Sequence, residues 1–133
     1  MLPFKSFSHV SVTVSDLEKA KAFYGGLIGF KEISRPPFNF PGAWYTAGDI
    51  QVHIIVDEKL PPRPVERERF SLMDPHFALW VEDADEIARR LAEAGTAPFE
   101  FSDSPTGFRQ LFIKDPDGNM VEFLGPTHVK REA

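Results

Sequence analysis

The sequence predicts an α+β fold in which two βαβββ modules follow one another along the chain. Three observations carry that expectation. A strand-then-helix pattern opening on His9 returns 67 residues later at His76. Each copy continues as short alternating segments separated by turn residues, the pattern of an antiparallel meander. A period of ~65 residues in two copies is too long for a solenoid and reads as a duplication.

In the first copy, His9-Val10-Ser11-Val12-Thr13-Val14 alternates polar and apolar, as a half-buried strand does. A helix follows over Asp16 to about Leu27. Leu17, Ala20, Phe23, Tyr24, Leu27 and Ile28 recur at helical spacing, and Ser15-x-x-Glu18 fits a capping box. Gly25 and Gly26 weaken its last turn. Strands are then expected over Lys31–Arg35, Ala43–Ala47 and Ile50–Val56, with Gly48-Asp49 as the hairpin turn.

The second copy opens with His76-Phe77-Ala78-Leu79-Trp80-Val81 and an acidic cap. Its helix runs over Ala84 to Ala94, with Ile87, Ala88 and Leu91 on one face and Gly95 as the stop, in step with Gly29 within one residue. Strands are expected over Ala97–Phe101, Phe108–Lys114 and Asn119–Leu124, with Asp115-Pro116-Asp117-Gly118 as the turn. The chain then divides into module one at about 5–56, a linker at about 57–75 and module two at about 76–125, all within one domain. The linker, rich in proline and in Glu and Arg of mixed sign, suits a solvated connection.

Composition removes several function classes. The chain has 133 residues with 15 Lys plus Arg against 20 Asp plus Glu, a formal net charge of −5. That balance, without a basic block, argues against nucleic-acid or anionic-membrane partners. No run reaches the ~18 apolar residues of a membrane span. Met1–Lys5 leads directly into a strand pattern, so no secretory leader and a cytoplasmic location are expected. The absence of cysteine excludes disulfides, thiolate metal ligands and a cysteine nucleophile.

Chemistry must therefore rest on histidine, carboxylates, hydroxyls or a metal. Of the four histidines, His128 lies in the polar tail and reads as a surface residue. A single strand histidine is ordinarily a hydrogen-bonded core or edge residue. Here position matters more. His9 and His76 open the first strand of each copy, while His53 and Glu122 sit in the last strand of each, 69 residues apart. Strand alternation turns Val10, Val12 and Val14 to the helix and leaves His9 on the other side. The same parity separates His53 from Val52 and Ile54, His76 from Phe77 and Leu79, and Glu122 from Val121 and Phe123. The two sheets are expected to form a concave surface whose central cavity gathers these four side chains. Three imidazoles and a carboxylate there compensate one another around a divalent ion; imidazole-rich ligation suits Zn, Ni, Co or Fe, with Mn also admitted.

The stretches His9-x-Ser-Val-x-Val-Ser-Asp-Leu17, Phe23-Tyr-Gly-Gly-Leu-Ile-Gly-Phe30 and Asp115-Pro-Asp-Gly-Asn-Met-Val-Glu122 in that order resemble the vicinal oxygen chelate superfamily. This is the glyoxalase, bleomycin-resistance and extradiol-dioxygenase group. The resemblance covers nearly the whole chain. It implies a metal held by His9, His53, His76 and Glu122, a small-molecule substrate and a homodimer. His53 stands where glyoxalase I commonly has Glu.

The function expected is a glyoxalase-type metal-dependent lyase or isomerase acting on a small oxygenated substrate. The ion would chelate two substrate oxygens and stabilise an enediolate-like oxyanion, with Glu122 as the ligand able to take a proton. One alternative is an extradiol-type Fe(II) dioxygenase using His9, His76 and Glu122. Another is a metal-free dimeric protein of bleomycin-resistance type that sequesters a drug or other ligand among Phe38, Phe40, Trp44 and Trp80. Trp80, on the side of His76, and Arg109 are the candidate substrate contacts; Arg35 and Lys114 are further cations that could orient an anion. Asp115-x-Asp117-x-Asn119 imitates a calcium loop but has Met120 in place of its glycine, and Gly25-Gly26-x-x-Gly29 ends a helix rather than opening one, unlike a dinucleotide loop.

Overall fold

A computed structural model describes residues 1–61, 70–101 and 104–129. The chain divides into two compact units, Met1–Pro62 and Arg63–Ala133. Each contains the βαβββ order expected.

In unit one, β1 (His9–Val14) is followed by α1 (Leu17–Lys21), which runs on as a π-helical stretch over Ala22–Ile28. Then come β2 (Lys31–Ile33), β3 (Gly42–Ala47) and β4 (Ile50–Val56). The sheet order is β1-β4-β3-β2, with β1 parallel to β4 and the other pairs antiparallel. The helix packs on β3 and β4. Val12, Val14, Ala43, Tyr45, Val52 and Ile54 bury toward it beside Ala20, Phe23 and Tyr24.

Three local expectations change. The helix N-cap is Asp16, whose carboxylate accepts from the Lys19 amide at 3.0 Å, and not Ser15. A regular α-helix does not continue to Leu27. The wider π turn coincides with Gly25 and Gly26, weak helix formers, and a Cβ at Gly25 would lie 3.3 Å from the Tyr45 ring. Strand β2 stops at Ile33, ahead of Pro36-Pro37, which have no N–H to offer a ladder.

Unit two repeats the plan with β5 (His76–Trp80), α2 (Ala84–Glu93), β6 (Phe99–Glu100), β7 (Arg109–Lys114) and β8 (Met120–Gly125), in the order β5-β8-β7-β6. Asp83 caps α2 by accepting from the Asp85 and Glu86 amides. Leu111, Ile113, Val121 and Phe123 form its core with Leu91. The β7–β8 turn is organised by Asp115, 1% exposed. Its carboxylate accepts from the Asp117 and Asn119 amides and the Asn119 side chain. This hydrogen-bond set makes the segment a turn and not an ion loop.

The linker expectation falls partly outside the described residues, at 62–69. Beyond them residues 72–75 are exposed, as a solvated connection is, but Phe70 is not: it stacks on Phe99 at 4.8 Å and meets Phe112 at 4.9 Å, within the packing of unit two.

Candidate functional site

Strand parity determines which side chains share a face. In unit one the face away from the helix carries His9, Ser11, Gln51, His53, Trp44 and Thr46, with Ser11 paired to His53 across β1–β4 and Trp44 paired to His53 across β3–β4. The parallel pairing of the first and last strands brings His9 to His53. Their rings stack at 3.9 Å between centroids, 19° apart, and Trp44 stacks on the other side of His53 at 3.9 Å and 2°.

His53 is thus an imidazole between two rings, 8% exposed. Its Nε2 lies 2.8 Å from Gln51 Oε1. Its pKa is lowered, first by burial, which disfavours the charged form, and then by His9 and Arg35. His9 is exposed, and its Nδ1 lies 2.8 Å from Ser8 Oγ.

In unit two the equivalent face carries His76, Ala78, Trp80, Gln110, Phe112, Met120 and Glu122. Ala78 pairs with Glu122 across β5–β8, and Phe112 pairs with Glu122 across β7–β8. His76 Nε2 is 3.1 Å from Glu122 Oε1. The other carboxylate oxygen, Oε2, accepts from Gln110 Nε2 at 2.9 Å. Glu122 is 5% exposed. The His76 ring is oriented behind by the Asp74 carbonyl, 2.8 Å from Nδ1. A carbonyl can only accept, so Nδ1 donates to Asp74, and the contact of Nε2 with Glu122 Oε1 is a hydrogen bond whose proton an ion bound between the two atoms would replace.

The two pairs differ in their fitness for a metal. In unit two an imidazole nitrogen and a carboxylate oxygen already meet at 3.1 Å, with the other polar atom of each side chain held by a hydrogen bond, an arrangement of the kind that orients metal ligands. In unit one the stacked rings direct their in-plane lone pairs along near-parallel planes, so the pair shares an ion only after exposed His9 turns. Among the described residues, no group of three or more histidine or acidic side chains converges.

Trp80 lies on the His76 face, 70% exposed, with Phe108 edge-on at 5.0 Å. Arg109 is placed elsewhere. Its parity is that of Leu111 and Ile113, toward the helix, where Nη1 donates to Asp85 at 2.9 Å and Nη2 donates to Glu100 at 2.6 Å. The expected substrate contact is therefore a clasp: Asp85 also accepts from Thr127 Oγ1 and the His128 amide, which with Arg109 hold its pKa down at about 2.

Four contributors escaped the sequence reading. Gln51 and Gln110 lie on the right face by parity, a signal that was available. Trp44 reads in the sequence as a core or ligand-stacking ring, and its role as the partner of His53 depends on the β3–β4 register. Phe70 stood in a proline- and charge-rich segment that masked it.

A family model described as Glyoxalase/Bleomycin resistance protein/Dioxygenase superfamily matches residues 6–123. The chain is 32% identical over 127 residues to Glyoxylase I 4 of Arabidopsis thaliana, covering 91% of this chain and 71% of that protein. It is 30% identical over 120 residues to glutathione transferase FosA of Serratia marcescens, covering 89% of this chain and 79% of the relative. Among solved structures, a glyoxalase family protein from Enterococcus faecalis is 30% identical with a TM-score of 0.70, over 91% of this chain and 98% of that one. With two βαβββ units and a family match running from ahead of β1 into β8, this chain belongs to the Glyoxalase/Bleomycin resistance protein/Dioxygenase superfamily.

Proposed function

We propose that this chain is a divalent-metal enzyme, a glyoxalase-type lyase or isomerase of a small oxygenated substrate, with His9, His53, His76 and Glu122 as its ligands. The observation that carries the reading is the His76–Glu122 pair: two ligand atoms face each other while Asp74 and Gln110 hold the atoms behind them. Names of the relatives support enzymatic activity in general, since one is a glyoxylase and another a glutathione transferase.

A bound divalent ion (Zn, Ni, Co, Fe or Mn) would supply Lewis acidity toward two neighbouring substrate oxygens. The chain's own residues do the rest. Glu122 Oε1 is the atom that takes or returns a substrate proton, while Gln110 keeps Oε2 engaged so that the carboxylate does not rotate. The Asp74 carbonyl accepts from His76 Nδ1 and leaves Nε2 for the ion. Trp80 offers an exposed ring on the same face for an apolar part of the substrate. A homodimer in the cytoplasm completes the reading.

One observation favours a second reading. His53 is enclosed by Trp44 and His9 with its Nε2 at Gln51, which leaves His9, His76 and Glu122 as a three-ligand set, the set an extradiol-type Fe(II) dioxygenase requires.

The test is metal content of tag-free protein purified without chelators, beside His76→Ala and Glu122→Ala. Near-stoichiometric metal that falls in both variants is expected. A preference for Fe(II) alone moves the assignment to the dioxygenase. No metal retained or taken up from Fe(II), Zn, Ni, Co or Mn removes both enzyme readings.

A further inference from the structure

The ligand-bearing face of unit one holds a cation that the metal reading does not use. Past the end of β2, the Arg35 guanidinium lies 5.0 Å from the Phe38 ring and 4.9 Å from the Phe40 ring, and its Nη2 donates to the Phe40 carbonyl at 2.8 Å. It rests over Gly42: a Cβ there would sit 3.0 Å from both Nε and Nη2. Phe38 and Phe40 stack at 5.3 Å, Phe38 meets Trp44 at 6.1 Å, and Trp44 stacks on His53. The guanidinium is therefore built into the same array of rings as the candidate ligand.

Its charge is not balanced locally. Among the described residues Arg35 has no ion pair, and its buried Nε–H has no acceptor. An enclosed, unmatched donor carries a free-energy cost. The strand residues of this face, His9, Ser11, Trp44, Thr46, Gln51 and His53, include no carboxylate. The duplicated position sharpens the point. Gly42 faces Ile55 across β3–β4 as Gln110 faces Leu124 across β7–β8. In unit two that place is filled by an amide holding Glu122; in unit one it is left to a guanidinium. A planar fork held in place by neutral groups is preorganised for a carboxylate or phosphate-type oxyanion, which it binds with two charge-assisted hydrogen bonds.

We propose that Arg35, framed by Phe38 and Phe40 over Gly42, is an oxyanion-binding subsite that takes a carboxylate or phosphonate group of the ligand. Assigning that ligand as the substrate rests on the enzyme reading above, but the subsite is tested on metal-free protein and stands or falls separately.

The experiment follows the arginine Nε–H signal of Arg35 by NMR in the full-length, metal-free, 15N-labelled protein. Glycolate and methylphosphonate are titrated in separately, with ethylene glycol as neutral control and sodium chloride at matched ionic strength. Expected is a saturable shift with at least one anion and none with either control; the anion that acts identifies the chemistry. Arg35→Lys, which keeps the charge and loses the fork, should weaken binding about tenfold, and Arg35→Gln more, read on the Trp44 indole signal. Absence of a saturable shift, an equal shift with chloride, or unchanged affinity in Arg35→Lys or Arg35→Gln overturns the proposal. Should a variant misfold, the wild-type Nε–H titration decides alone.

Discussion

The two units hold the same strand position in opposite ways. His53 is clamped by faces, between Trp44 and His9, whereas Glu122 is held at its atoms, by Gln110 on one oxygen and His76 on the other. Ring stacking determines where an imidazole lies but leaves its nitrogens to whichever polar group is near, here Gln51. Hydrogen bonds determine which atom points where. The two units share the same backbone register and differ in what surrounds one position: stacked rings and a guanidinium in unit one, an amide and an imidazole on a carboxylate in unit two.

The strongest way to break this contrast is Glu122→Gln beside His53→Gln, with metal affinity measured calorimetrically. Loss of the carboxylate should cost more than about a hundredfold, beyond the ~10–100-fold typical of an orienting partner. His53→Gln should cost less, and equal losses would erase the asymmetry. Next comes the amide pair. Gln110→Ala should lower metal affinity about tenfold by freeing Glu122 to rotate. Gln51→Ala should leave it unchanged or raise it, because Gln51 occupies the nitrogen that an ion would need.

A third test concerns the clasp in unit two. The Asp85 carboxyl is held at about 2 against an ordinary 3.8, so its stabilising share is complete above 3.8 and is lost as pH falls through about 2. Asp85→Asn should lower stability near neutrality by about 1 kcal/mol, discounted for partial exposure, and flatten the acid limb of a plot of Tm against pH. An unchanged acid limb would remove the clasp as its cause. The smallest effect is expected for Trp44→Phe, which gives unit one the residue type that unit two has at Phe112. It should cost less than about 1 kcal/mol in denaturant melts while altering the His53 ring shifts seen by NMR.

Much of this was legible in the sequence because burial enforces a period of two. The runs Val10-Val12-Val14 and Val52-Ile54 determine the helix face, and with it the side on which His9, His53, His76 and Glu122 emerge. Arg109 was legible on the same rule, since it shares parity with Leu111 and Ile113, and expecting it at the substrate overlooked that. Other features depend on contacts that no local pattern encodes. The π turn coincides with the close approach of Tyr45 to Gly25, twenty residues away. The Gln110–Glu122 bond needs the register of two strands, and the rings that receive Phe70 come from β6 and β7. Arg35 was visible only as a charge; its frame of Phe38, Phe40 and Gly42 exists once the proline-rich loop has turned back over β3.

The parallel pairing of β1 with β4, and of β5 with β8, also has a consequence in time. His9 meets His53 only after 44 further residues are made, and His76 meets Glu122 after 46. At ribosomal rates of ~5–20 residues per second the opening strand of each sheet waits several seconds for its neighbour. Such pairings between distant parts of a chain are slow to form and leave an edge unpaired until they do. Unit one can close its sheet once Val56 has emerged from the ribosome, while the β5–β8 pairing waits for the strand that carries Glu122. Of the four candidate ligands, Glu122 is the one the growing chain receives last.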